Sequence, residues 1–288
     1  HAQRIEFKDY GHLLAHLDRW ASSGLRSPDQ WSDALTGSTA WLDYSARNQV
    51  LLASYGAEGP VAGQETWRLV PSTHEGRTCA VRAGEHGYPV RVPITGPGAE
   101  PDPHLGGARP TRASVERWEW RPVFDVTQLA RRPAPDALRP VDVPASLTGS
   151  HGDAAFLDLS RRVATSTVRG RLPASKDPVE VLASAAERLP RSAKRPALEG
   201  ELSQQVAWLV ADRVGHAPTD APPSFDPGPL RPRERWERLQ DVLDPARRLT
   251  AALGAKLGVD LVASPLPRMA LEEDRAVAAE RRNRLPRS

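Results

Sequence analysis

The period of the hydrophobic pattern changes twice along this chain, and that change limits the available folds more than any single motif does. Residues 7–22, "FKDYGHLLAHLDRWAS", repeat apolar side chains at helical spacing, with Leu13, Leu14, Leu17 and Trp20 turned inward. "RWEWRPVFDV" (117–126) alternates instead. Trp118, Trp120, Phe124 and Val126 share one face; Arg117, Glu119, Arg121 and Asp125 share the other. Beyond residue 150 the helical period returns. This order predicts an α+β fold: N-terminal helices packed on a small antiparallel sheet, followed by a mainly helical domain.

Local signals refine the reading. "SPDQWSDAL" offers Ser27 as a helix N-cap and Pro28 at the first helical position. "DYSARNQVLLASYG" (43–56) predicts a third helix, whose face collects Trp41, Tyr44, Leu51, Leu52 and Tyr55. Asn48 falls in the middle of that apolar stripe, flanked by Arg47 and Gln49, which an ordinary core helix does not require. "TCAVRA" (78–83) and "YPVRVPI" (88–94) read as strands with a turn at "GEHG" between them. In the second, Tyr88, Val90, Val92 and Ile94 oppose Arg91. Pro122 marks a sheet edge or a bulge in the 117–126 strand. The Gly- and Pro-rich run 95–113 predicts an exposed excursion.

The Pro-rich segment 131–150 reads as a linker between a domain at 1–130 and a helical domain at 151–265. The second has helical candidates at 153–164, 178–189, 199–214, 232–243 and 245–257. Residues 266–288 form a charged tail, either a solvated helix or partly disordered.

Composition bounds the partners. Hydrophobic residues are 39% and charged residues 26% of 288, enough for a packed core. Net charge is only +3, and residues 1–132 hold 15 basic and 15 acidic groups, so a nucleic-acid site has to be local. Of the 39 basic residues 35 are Arg. Guanidinium groups fork onto phosphates and stack on bases as ammonium groups do not. The single cysteine, Cys79, forms no intrachain disulfide, which points to a reducing cytoplasm. No apolar run reaches the roughly 18–20 residues of a membrane span, and no signal peptide is expected before the first helix. A cytoplasmic protein without a membrane partner is the expectation.

Three blocks, "YSARNQVLL" (44–52), "VAGQETW" (61–67) and "VFDVTQ" (123–128), stand in the order of a known domain. Together they resemble the N-terminal single-stranded-DNA-binding domain of ArdC-type antirestriction proteins, which serve plasmids and other mobile elements. The likeness covers residues 10 to 130. "RAGEHGYPV" departs from it, keeping Gly84 and Glu85 but lacking the family's lysine. The resemblance implies a non-catalytic single-stranded-DNA-binding protein, serving a mobile element or an accessory DNA-processing complex. Single strands are held by cations along the backbone and by flat side chains under the bases. The residues proposed for that work are Arg47, Trp67, Arg68, Arg82, Arg91, Arg117 and Arg121, with Trp67 as the stacking ring. Tyr44, Asn48, Trp118, Trp120 and Phe124 are read as structural, the two tryptophans as core. Asn48 is expected to bond the backbone of the "VAG" turn. Arg47 either faces the groove or is a solvated charge.

ArdC-type chains usually continue into a zinc-metallopeptidase domain with an HExxH helix. "KDPVEVLASAAERLP" (176–190) and "ELSQQVAWLVADRVG" (201–215) resemble its layout. The ligand and base positions hold Ser184, Ala185, Arg188 and Gln204, and residues 152–215 contain no histidine. The expectation is therefore no catalytic residue, no metal and no cofactor. "HLLAH" places His12 and His16 at the HExxH histidine spacing, but Leu13 stands where the base belongs. The rival reading is a protein-interaction module that reuses the fold to bind a nuclease or restriction-type partner, supported by the charge balance of the first half.

Overall fold

The first three helices form where caps and apolar spacing agree. In the computed structural model, residues 10–95, 115–138, 143–148, 152–168, 174–189, 198, 200–262 and 266 are described. Helix α1 (Tyr10–Gly24) buries Leu13, Leu17 and Ala21; residues 7–9 of the expected helix lie outside the described residues. Helix α2 (Pro28–Gly37) begins as read, with the Ser27 hydroxyl accepting the Gln30 N–H and Pro28 in the first turn. Helix α3 (Ala46–Tyr55) is shorter than expected. Ser45 is its N-cap, accepting from the Asn48 N–H, and Gly56 closes it at φ 70°. Trp41 ends a 3₁₀ turn and Tyr44 precedes the cap, so both join the apolar face through a turn rather than helical periodicity.

Strands β1 (Val61–Ala62), β3 (Tyr88–Thr95) and β4 (Val115–Asp125) form an antiparallel sheet in the order β1-β4-β3, with a one-turn helix α4 (Gln64–Trp67) after β1. Strand β2 (Ala80–Val81) pairs with β5 (Leu129–Arg131) in a separate two-stranded sheet, so the "GEHG" turn joins two sheets. Gly84 takes φ +82° there. At the foot of β3, a Cβ on Gly87 would lie 2.7 Å from Pro122 Cβ and 2.9 Å from the Val123 carbonyl oxygen, so only glycine fits. The excursion expected at 95–113 falls, beyond Thr95, outside the described residues.

The edge of β3 is closed by helix α3. In an antiparallel pair alternate residues turn N–H and C=O away from the partner strand. At Arg91 those groups meet Asn48: its Oδ1 accepts the Arg91 N–H at 3.1 Å, and its Nδ2 donates to the Arg91 carbonyl at 2.8 Å. Two residues earlier the Tyr55 hydroxyl donates to the Pro89 carbonyl at 3.1 Å, and Pro89 has no N–H to satisfy. Asn48 therefore bonds a strand edge rather than the "VAG" turn. Trp41 and Tyr44 hold that turn instead, donating to the Gly59 and Val61 carbonyls at 2.6 and 3.3 Å.

Each sheet face has its own cover near β1. On one, Trp41 and Leu52 pack with Val61, Val90 and Val123; on the other, Trp67, Val70 and Cys79 pack with Ala62, Phe124 and Leu129.

The C-terminal half supplies α5 (Ala145–Thr148), α6 (Gly152–Thr167), α7 (Pro178–Arg188), α8 (Glu201–Arg213) and α9 (Pro232–Leu257). Two expected helices, 232–243 and 245–257, are one: α9 runs through Pro245. Proline removes one helical hydrogen bond, but buried residues on both sides, from Trp236 to Leu253, hold the helix together.

The expected division into independent domains is corrected by the packing. Leu13, Leu17, Trp31, Val50 and Leu51 share one hydrophobic core with Phe156, Leu182, Trp208, Leu239 and Leu249. Polar ties also join the two halves. Trp31 Nε1 donates to Gln205 Oε1 at 3.0 Å, Trp236 Nε1 donates to Asp18 Oδ1 at 2.7 Å, and Arg235 donates to the Ala21, Pro227 and Gly228 carbonyls. Within the segment read as a linker, β5 ends at Arg131 and Ala137 packs in the core under the sheet. No described helix is long and apolar enough to cross a membrane.

Candidate functional site

The ribbon of β3 and β4 continues past both covers. Its register pairs Pro89 with Pro122, Arg91 with Trp120 and Pro93 with Trp118, regular from Tyr88 to Ile94. Directly opposed residues point to one face, and so do alternate residues along a strand. Arg91, Trp118 and Trp120 therefore share the face that, further along, carries the buried Phe124. The Arg91 guanidinium lies over the Trp118 ring, 5.2 Å from its centroid, a cation–π contact. Trp118 is 51% exposed and Trp120 36%. Both were expected in the core. The strand alternates as read, but the packed residues under Phe124 end before they reach Trp120. Phe124 itself is buried, as expected of a structural residue.

Trp67 reverses in the opposite sense. The expected stacking ring is fully buried, and its indole N–H donates to the Phe124 carbonyl at 2.8 Å. Helix α4 turns the ring under the sheet, where it fills the core beside Cys79. No base can reach it.

The expected cations are scattered and mostly engaged. Arg47 donates to the Tyr10 hydroxyl at 2.8 Å and lies over that ring at 5.4 Å. Arg68 pairs with Glu65 at 2.9 Å, and Arg82 pairs with Glu85 at 2.7 Å while donating to the Thr127 carbonyl. Arg121 reaches Glu119 at 3.6 Å on the face opposite Trp118 and Trp120. The backbone of Arg117 pairs with Ile94; its side chain lies outside the described residues. Among the expected cations whose side chains are described, Arg91 is the one brought to the exposed tryptophans. Its backbone is held by Asn48 at both polar groups, so the rigid α3–β3 seam fixes where the guanidinium starts.

The anchor of the ribbon is Asp125, a fully buried carboxylate whose two oxygens both accept hydrogen bonds. Oδ1 accepts from the Thr127 and Gln128 N–H groups, and Oδ2 accepts from the Glu58 N–H at 2.8 Å and the Tyr88 hydroxyl at 3.4 Å. Burial, with the Asp125 charge beside it, pushes the Tyr88 phenol up to about 12, which keeps it a neutral donor.

At the peptidase-like positions, Ala185 is fully buried in α7, Arg188 is exposed at its end, and Ser184 and Gln204 are half-buried. Among the described residues no three of His, Cys, Asp or Glu converge. His16 bonds the Ser54 hydroxyl at 2.9 Å and sits 5.3 Å from the Tyr55 ring. Burial, and then the Arg19 charge, hold its pKa below the ordinary histidine value.

No family model, characterised protein or solved structure matches the chain.

Proposed function

We propose that the chain binds single-stranded DNA on the exposed face of the β3–β4 ribbon and catalyses no reaction there. The observation that supports this most is the trio of Arg91, Trp118 and Trp120. Two large rings, one half exposed and the other about a third exposed, stand on a braced strand with a guanidinium beside them. Base–aromatic stacking contributes about 1–3 kcal/mol per base and tolerates any base, because every base has a flat π face. Arg91 adds a charge able to meet a phosphate. The ordered resemblance of residues 44–128 to the ArdC-type domain supports the same ligand. A setting in which single strands arise, such as a mobile element in transfer or an accessory DNA-processing complex, follows from that resemblance. Ser184, Ala185, Arg188 and Gln204 support the absence of peptidase chemistry, since none can replace the zinc ligands and base together.

The test is a salt-titrated binding isotherm with a labelled oligonucleotide, single-stranded and as its duplex. The single strand should bind more tightly, with a log–log salt slope of about 0.7 per phosphate neutralised. Trp118→Ala combined with Trp120→Ala should remove the preference. Equal affinity for strand and duplex would sink the proposal.

A second reading, a protein-interaction module, draws support from the ion pairs of Arg68, Arg82 and Arg121, which weaken the local positive field. Binding that ignores salt but needs Trp118 would favour it.

A further inference from the structure

Taking the proposed single-strand site as given, the spacing of its two rings says how a strand lies on it. Trp118 and Trp120 are alternate residues of a regular strand, so their Cα atoms stand ~6.5–7 Å apart along β4. Side chains on a strand stand roughly perpendicular to the sheet, so the rings inherit that separation. Bases stacked on one another in a helix are only ~3.4 Å apart along a strand. Two neighbouring bases thus cannot stay stacked on each other while each covers its own tryptophan.

We infer that this site takes an extended, unstacked strand, one base per tryptophan, and therefore prefers pyrimidine-rich over adenine-rich single strands. Three features of the ribbon fit such a ligand. Arg91 braces Trp118 from across the strand pair, which keeps that ring from folding down onto the sheet and leaves half its surface exposed. Pro89 and Pro122 oppose each other on the same face, stiffening the ribbon between the tryptophans and the core. Asn48 bonds both backbone groups of Arg91, which holds that residue of β3 against helix α3. A strand binding here gives up its own base–base stacking first. Adenine runs lose the most and thymine runs the least, and preferences of this kind are set by stacking strength rather than by base-edge hydrogen bonds.

The test compares labelled oligo-dT, oligo-dA and an abasic chain of equal length, at one salt concentration, against the full chain. Oligo-dT should bind several-fold more tightly than oligo-dA, and the abasic chain most weakly. Trp118→Ala and Trp120→Ala should each weaken oligo-dT binding by roughly 5- to 150-fold, the range for one lost base–aromatic stack. Each should also draw the dT/dA ratio toward one. Trp118→Phe keeps a ring and should retain most of the ratio; thermal melts establish that every variant is folded. Oligo-dA binding as tightly as oligo-dT, with both lost on Trp118→Ala, would overturn the unstacked strand while leaving the platform in place. Binding of both oligonucleotides that survives the two alanine variants would overturn the platform and this inference with it.

Discussion

The two ends of strand β4 have the same alternation and opposite fates. At the Asp125 end, Phe124 lies on Trp67, Val70 and Cys79 and is buried. Four and six residues earlier, on the same face, Trp120 and Trp118 are 36% and 51% exposed. The difference lies in what covers the strand and owes nothing to its own pattern. A period of two says which residues share a face, and only tertiary neighbours say whether that face is core or surface.

The sharpest break in the comparison comes from exchanging the roles of the tryptophans. Trp67→Ala should cost ~3–5 kcal/mol, because a buried indole leaves a cavity and its N–H bond to the Phe124 carbonyl is lost. Urea unfolding reads this directly, with an unchanged slope if the fold persists. Asn48→Ala should cost less, about 1–3 kcal/mol, since it leaves the Arg91 N–H and carbonyl at the strand edge without partners.

A smaller effect comes from His16 at the α1–α3 contact. Its folded-state pKa lies below its ordinary 6.5, so on acidification the unfolded chain takes the proton first. The His16 contribution is intact above about 6.5 and is lost as pH falls below that value. Melting temperatures at pH 8 and pH 5.5 should show a drop, and His16→Gln should make it smaller. Trp118→Ala should move the melting temperature least among the aromatics, within about 0.5 kcal/mol of the parent, because it removes surface and not core. A Trp118 variant as damaging as Trp67→Ala would show that the two ends do not differ. Smallest of all is Arg121→Ala. Its partly exposed pair with Glu119 adds little to folding, and on the opposite face it should leave the salt dependence of binding unchanged. Arg91→Ala should make that dependence shallower.

Much of the fold was legible because its signals are local. The Ser27 cap with Pro28, the strand alternation of 117–126 and the helical stripes beyond 150 each arise from a few neighbouring residues. Asn48 also announced itself as a polar group in an apolar stripe, although the partner expected for it, the "VAG" turn, was the wrong one. Its partner, the edge of β3, is 43 residues away. Pro89 and Pro93, at alternate positions of "YPVRVPI", are the local mark of that edge strand, since neither has an N–H to donate. The site was less legible. Trp67 and Trp118 look alike on the page, each beside an arginine, and their burial depends on where helix α4 turns. The apparent boundary at 131–150 misled for the same reason, since proline content reports local stiffness and says nothing about which distant helices pack together.

That shared core has a consequence for the chain as it is being made. Asp18 in α1 waits for Trp236 in α9, 218 residues later. At synthesis rates of about 5–20 residues per second, the delay is roughly 10–45 s. For that time Leu13, Leu17 and Trp31 have emerged from the ribosome without the helices that will bury them. A nascent chain of this design presents apolar helix faces to the cell for that whole interval, before the helices that bury them exist.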